Sequence, residues 1–168
     1  MFLVLEADTY AKSGRDEAAL QTIERALDLC EETGERWAVA EVLRTKAAIL
    51  QSTGRATDQE IEAILLKSLE IARHQQALSW QLRTSCDLAR LWHRQGRNKK
   101  ALKFLQSVYD QFTEGFDTAD LQDARTLLRN LRRNLMDGGR RRRVRPAKND
   151  KKTAVRSKAR ARPSHRSG

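Results

Sequence analysis

The sequence predicts an all-α fold, a stack of about three helix-turn-helix hairpins closed by a C-terminal capping helix. The first 137 of the 168 residues contain no proline, which suits long helices. Three glycines, Gly14, Gly54 and Gly96, recur at intervals of 40 and 42 residues. A small residue precedes each glycine by seven positions and a large residue precedes it by four. The same pattern therefore occurs three times, which indicates an internal repeat.

The repeated positions have a direct packing explanation. Two antiparallel helices approach closely only where small side chains meet, and large side chains fill the space between one hairpin and the next. Glycine at the turn allows the first helix to end. The small residues are Ala7, Ala47 and Ala89, the large ones are Tyr10, Leu50 and Trp92, and the apolar positions after the turn are Ala19, Ile23 and Ala26 in the first hairpin and Ala101, Leu105 and Val108 in the third.

The second hairpin departs from this spacing because the insertion RATDQE follows Gly54. Its equivalent positions after the turn are Ile61, Leu65 and Ser68. We expect long second helices over residues 16–32 and 59–75.

A last helix is predicted after the third hairpin. Asp117 is expected to cap it, and Asp120 is favourably placed in its first turn. Gly138 and Gly139 are expected to end it. Its apolar positions follow at helical spacing: Leu121, Ala124, Leu127, Leu128, Leu131 and Leu135.

The charge distribution divides the chain into a repeat domain, residues 1–136, and a basic tail, residues 137–168. Residues 138–168 hold 13 Lys and Arg against Asp150 alone, whereas the preceding 137 residues have a net charge of −1. With few large apolar residues, the tail is expected to be disordered. It could bind nucleic acid without sequence preference through its arginines, or be only a solvated tail. The candidate contacts are Arg140, Arg141, Arg142, Arg143 and Arg145.

A second candidate site lies on the first helix of the third hairpin, in the expected concave groove of the stack. Arg83, Arg90 and Arg94 are spaced as i, i+7 and i+11, which places them on one stripe. Arg44 and His93 are expected in the same groove. Such a stripe could bind an acidic peptide or a C-terminal carboxylate. The alternative is a solvated helix face that neighbours such as Glu41 or Asp87 neutralise.

No residue pattern indicates catalysis, and no cofactor or metal ion is predicted. His74 and His93 lack the spacing of metal ligands, and both are interpreted as surface residues. The tryptophans Trp37, Trp80 and Trp92 are interpreted as packing residues. Two cysteines without a paired spacing favour a reduced, cytoplasmic protein, and no apolar run is long enough to span a membrane.

The segments SGRDEAALQTIERAL and QGRNKKALKFLQSV resemble the tetratricopeptide repeat, a helix-turn-helix unit with small residues at matching offsets. The interval between units exceeds the usual period of about 34 residues, and Ile61 replaces the expected alanine. The resemblance implies a superhelix that binds proteins or peptides.

The run from GERWAVAEVLRTKAAILQSTG to FTEGFDTADLQDARTLL, roughly residues 33–130, is similar to the C-terminal repeat region of bacterial regulators of the predicted-ATPase and nucleotidyl-cyclase type. The resemblance implies a role in signal transduction, with this chain as the docking part. The chain lacks the glycine-rich loop ending in Gly-Lys-Ser/Thr on which the ATPase part depends.

Taken together, the sequence predicts a non-catalytic protein-interaction module. Two alternatives remain, a regulatory C-terminal segment of a nucleotide-binding transcriptional regulator or adenylate/guanylate cyclase, and a nucleic-acid-associated protein that acts through its tail. Weak self-association is also expected through the apolar start of the chain, Met1 to Leu5, because no preceding hairpin covers it.

Overall fold

A computed structural model describes residues 2–34 and 36–143, in which all regular secondary structure is helical, as predicted. A short 3-10 turn, Arg36–Ala38, precedes the third α-helix. The α-helices are α1 (Phe2–Lys12), α2 (Asp16–Thr33), α3 (Val39–Thr53), α4 (Asp58–His74), α5 (Leu78–Arg94), α6 (Asn98–Tyr109) and α7 (Ala119–Arg143).

The helices pair as the glycine spacing predicts, α1 with α2, α3 with α4 and α5 with α6. Gly14, Gly54 and Gly96 occupy the three turns, with φ of +72°, +66° and +75°. Residues other than glycine rarely adopt this left-handed backbone conformation, which explains why glycine recurs at the turns.

The insertion after Gly54 supplies the N-terminal cap of α4. The backbone amide of Glu60 donates to Thr57 Oγ1 at 3.3 Å, and the Thr57 amide donates to Glu60 Oε2 at 2.7 Å. This reciprocal capping box satisfies backbone donors that the first turn of a helix leaves unpaired. It fixes the start of α4 at Asp58, one residue before the predicted position.

The core confirms the repeat register. The alanines at the hairpin crossings are almost fully buried, with Ala7 and Ala89 0% exposed and Ala47 1%. In the second hairpin Ile61, Leu65 and Ser68 are buried as the shifted alignment requires. Trp92 is buried and Tyr10 and Leu50 are half-buried. The positions after the turn are buried in the other two hairpins as well: Ala19, Ile23, Ala26, Ala101, Leu105 and Val108.

The stack curves toward the first helices of its hairpins. α1 contacts α3, α3 contacts α5, and α5 contacts α7, whereas α2, α4 and α6 do not contact one another within the described residues. The first helices are therefore closer together than the second helices. They form the concave face, where the sequence places the candidate groove.

The buried apolar residues form two clusters rather than one. The smaller cluster joins α1 and α2 to the 3-10 turn and one side of α3. The larger cluster begins at Ala47 in α3 and extends through α4, α5 and α6 to Leu131 in α7.

Helix α7 covers the end of the larger cluster, as a capping helix should. Its buried residues are Leu121, Ala124, Leu128 and Leu131. Thr118 precedes its first residue, and the carbonyl of Thr118 accepts from the amide of Gln122 at 3.0 Å. The predicted cap at Asp117 is therefore one residue too early. Asp120 lies in the first turn, as predicted.

The predicted end of α7 at Gly138 and Gly139 is wrong, because the helix continues through both residues to Arg143. The backbone of residues 137–143, which were predicted to belong to a disordered tail, is helical. The disorder predicted for residues 144–168 stays a prediction, since those residues lie outside the described part of the chain. None of the described helices combines the length and the apolar character that a bilayer-spanning segment requires.

We predict that Ala89→Leu destabilises the fold, because the added side chain cannot fit where α5 crosses α6. The expected loss in the free energy of unfolding is about 1–3 kcal/mol, measured by chemical denaturation. Ala63→Leu is the matched control, since Ala63 lies exposed in α4. Equal stability of the two variants would contradict the close crossing.

Candidate functional site

The five residues predicted for the groove lie on first helices of the hairpins, but the structure gives them different surroundings. Arg44 is in α3, and Arg83, Arg90, His93 and Arg94 are in α5. Arg44, Arg83 and Arg90 come together around one cavity, which His93 and Arg94 do not line.

Arg44 lies at the centre of a charge network between α3 and α5. Its Nε and Nη2 donate to the two carboxylate oxygens of Glu41 at 2.9 and 2.7 Å, a bidentate pair. Its Nη1 donates to Asp87 Oδ2 at 3.0 Å. All three nitrogens of the guanidinium group are thus occupied by carboxylates of the same chain.

Arg83 and Arg90 are paired with α7. Arg83 Nε donates to Asp120 Oδ2 at 2.7 Å, and Arg90 Nη2 donates to both carboxylate oxygens of Asp123 at 2.7 and 2.5 Å. Arg90 also donates to Asp87 Oδ1 at 3.1 Å. The arginine stripe of α5 therefore binds carboxylates as its chemistry predicts, but these carboxylates belong to the capping helix.

These groups surround a cavity of about 250 Å³ between α3, α5 and α7. Three arginines and three carboxylates line it, and the carboxylates are those of Asp87, Asp120 and Asp123. Glu41 adds a fourth carboxylate to the network through Arg44 and Arg83, so the groove is not cationic. The neutralising partners that the sequence suggested, Glu41 and Asp87, are both present.

Glu41 is the most buried charge in this network, at 5% exposed. Burial by itself would raise the pKa of the Glu41 carboxyl, but Arg44 and Arg83 outweigh burial and hold that pKa below its ordinary value. Glu41 is therefore ionised at neutral pH and stabilises both arginines.

Cys86 lies at the wall of the same cavity and is 3% exposed. Burial raises the pKa of the Cys86 thiol to about 12, although the nearby charge of Arg90 acts in the opposite direction. A thiol with this pKa stays protonated at neutral pH and is a poor nucleophile. Cys30 and Cys86 are both free thiols.

His93 joins three helices. Its Nδ1 lies 2.5 Å from Asn98 Oδ1 in α6, and its Nε2 lies 3.3 Å from Asn134 Nδ2 in α7. The ring is half-buried between these helices and has a packing role, so the interpretation of His93 as a surface residue is wrong. His74 is exposed, as predicted. Arg94 is exposed and has no hydrogen bond or ion pair with any described side chain.

Trp92 is a buried packing residue, as the sequence indicates. Trp92 is 2% exposed, and its Nε1 donates to Glu62 Oε1 at 2.8 Å. Lys100 Nζ lies 3.8 Å from the centre of the Trp92 ring. Trp37, in the 3-10 turn before α3, is 49% exposed and stacks on Trp80 of α5 with ring centres 6.2 Å apart.

Two further predicted surfaces are visible only in part. At the start of the chain Phe2 and Leu5 are 89% and 63% exposed, which leaves an uncovered apolar edge on α1. The backbone of four of the tail arginines, Arg140 to Arg143, forms the last turn of α7. Arg145 lies outside the described residues.

The cations that the sequence interpretation missed are on α7. Arg125, Arg129, Arg132 and Arg133 are all exposed, and no described carboxylate pairs with any of them. Their spacing of four, three and one residues along a helix could have identified the stripe before the structure was known.

Within residues 2–34 and 36–136, no group of three or more His, Cys, Asp or Glu side chains is arranged to hold a metal ion. No protein-family model matches the chain, and no curated protein matches it.

We predict that Glu41→Gln destabilises the chain by about 3 kcal/mol at pH 7, because Arg44 and Arg83 lose a buried carboxylate. Folding lowers the pKa of Glu41. The stability that the ionised Glu41 contributes is therefore complete above its unfolded-state pKa of about 4.3 and is lost as pH falls through its folded-state pKa. The difference in denaturation midpoint between the wild type and Glu41→Gln should therefore become smaller as the solution is acidified. Glu31→Gln, at an exposed site, is the control, and a difference independent of pH would contradict the assignment.

We also predict different reactivity of the two thiols. In the native chain at pH 8 a thiol reagent should modify Cys30, which is half-buried, much faster than Cys86. In Cys30→Ser, Cys86 should be modified only when the chain unfolds, so the rate of modification should increase with denaturant concentration. Fast modification of native Cys30→Ser would show that Cys86 is accessible and ionised.

Proposed function

We propose that this chain is a non-catalytic protein-interaction module that binds a peptide segment of a partner on its concave face. The main support is the curvature of the hairpin stack, which exposes one continuous face built from α1, α3, α5 and α7. Stacked helical hairpins commonly use this face for binding. Arg83 and Arg90, with side chains 38% and 40% exposed, are accessible there.

The pairing of the arginines constrains the partner. A purely acidic peptide would have to compete with Asp87, Asp120 and Asp123 for Arg44, Arg83 and Arg90. A segment with charges of both signs could add to the existing pairs without displacing them. We therefore propose a partner segment of mixed charge in place of the acidic peptide that the sequence suggested. Arg94, which is unpaired, supplies a free cation at the edge of the groove.

The finer assignments are also proposals. The glycine turns and buried alanines support a relationship to tetratricopeptide repeats, and the resemblance of residues 33–130 supports a role as the docking part of a bacterial signalling ATPase or cyclase. The two free cysteines support a cytoplasmic location. Exposed Phe2 and Leu5 support weak self-association through α1.

The experiment is selection from a random peptide library with the wild-type chain as bait, followed by affinity measurements on the selected peptides. We predict that Arg90→Ala with Arg94→Ala weakens binding on the order of tenfold, about 1.4 kcal/mol. Arg25→Ala with Lys67→Ala is the matched control, because it removes two exposed cations from α2 and α4. Equal affinity of the two double variants would place binding elsewhere.

A further inference from the structure

The two flanks of α7 differ in charge. Asp120 and Asp123 face α5, where Arg83 and Arg90 bind them. At 3.6 residues per turn, Arg125, Arg129, Arg132 and Arg133 fall within about 100° of the helix circumference, roughly opposite these acids. We call these four arginines the α7 basic stripe.

The α7 basic stripe lies on the side of α6. Arg132 donates a hydrogen bond to Gln106 of α6. Residues of α5 meet residues of α7 in the same chain order, with Arg83 near Asp120 and His93 near Asn134, so α7 runs parallel to α5 and antiparallel to α6.

Helix α6 adds cations beside the later part of the stripe. Lys103 lies one turn before Gln106, and Lys99 lies one turn before Lys103. Both lysines are exposed, and neither is paired with a carboxylate of the described residues. By contrast, Lys100 is bound to Glu62 at 3.4 Å. Six unpaired cations, the four arginines of the stripe and the two lysines of α6, thus lie on one face of this end of the fold.

The backbone of α7 continues beyond the stripe to Arg143. From Arg125 to Arg143 the helix rises about 27 Å, at 1.5 Å per residue. Duplex DNA presents on the order of 16 phosphates over that length.

We infer that the α7 basic stripe, with Lys99 and Lys103, binds the phosphate backbone of duplex nucleic acid without sequence preference. The site differs from the tail in that it lies on the folded repeat domain. It is independent of the proposed peptide groove, which is on the opposite flank of α7.

A duplex suits this face better than a membrane or a single strand. Helices that bind membranes insert an apolar face, but the apolar face of α7 is buried against α5 and α6. Binding of single strands depends on exposed aromatic rings for base stacking, and α7 has no aromatic residue. A row of cations on a rigid helix matches regularly spaced phosphates.

The test measures affinity of the full chain for a fluorescent DNA duplex over a range of salt concentrations. In one variant all four stripe arginines are changed, R125Q, R129Q, R132Q and R133Q. We predict that the slope of log affinity against log salt becomes shallower by about 3 to 4, because each arginine accounts for about one phosphate contact. Replacing the same four residues by lysine should preserve the slope, which distinguishes lost charge from lost folding.

A control with equal net charge carries K12Q, R15Q, R25Q and K67Q, which removes four cations from the first two hairpins. It should bind as the wild type does. In a further variant the five tail arginines, from Arg140 through Arg143 and Arg145, are each replaced by Gln. This variant should lose only part of the slope of log affinity against log salt.

Several results would overturn the inference. The wild type could fail to bind the duplex at low salt, or the four-glutamine variant could keep the wild-type salt slope. The control with equal net charge could lose as much of the slope as the four-glutamine variant, or a folded four-lysine variant could lose binding. If the chain binds vesicles of anionic lipid more strongly than the duplex, and the four-glutamine variant loses that binding, the face would be assigned to a membrane instead.

Discussion

The close approach of two helices at an alanine is the constraint on which the whole stack depends. Ala7, Ala47 and Ala89 are nearly inaccessible to solvent, since a neighbouring helix lies directly against each of them. This contact sets the distance between the two helices of a hairpin, and the larger side chains then determine how one hairpin meets the next. The curvature follows, because α1, α3, α5 and α7 touch in sequence while the helices behind them do not within the described chain.

That curvature explains why the arginines of the groove are neutralised. It brings α3, α5 and α7 close enough for Arg44, Arg83 and Arg90 to reach carboxylates on neighbouring helices. Buried or half-buried charges must be paired, since a lone charge in such a site is costly. The network fixes how the concave face is presented, and it reduces the net charge that a partner meets there.

Most of the fold could be predicted from the sequence, because glycine and alanine recur at intervals that only stacked hairpins explain. The site could be predicted less well. The stripe of Arg83 and Arg90 follows from helical spacing, but its pairing with Asp120 and Asp123 joins residues 37 and 33 positions apart. Such pairs depend on the direction in which α7 returns across α5. The extension of α7 through Gly138 was missed because glycine is disfavoured, but not excluded, inside a helix.

The division of the core into two clusters bears on how the chain can come apart. In a linear stack each hairpin is stabilised mainly by its neighbours, so an end unit can unfold locally while the remainder stays folded. Here α1 and α2 share a small cluster with the 3-10 turn and one side of α3, and α3 is their main link to the rest of the fold. The arginine-lined cavity and the α7 basic stripe both lie on α3 or beyond it. The first hairpin can therefore open, exchange its amide hydrogens or be lost to proteolysis without removing the groups that line the cavity or the basic stripe.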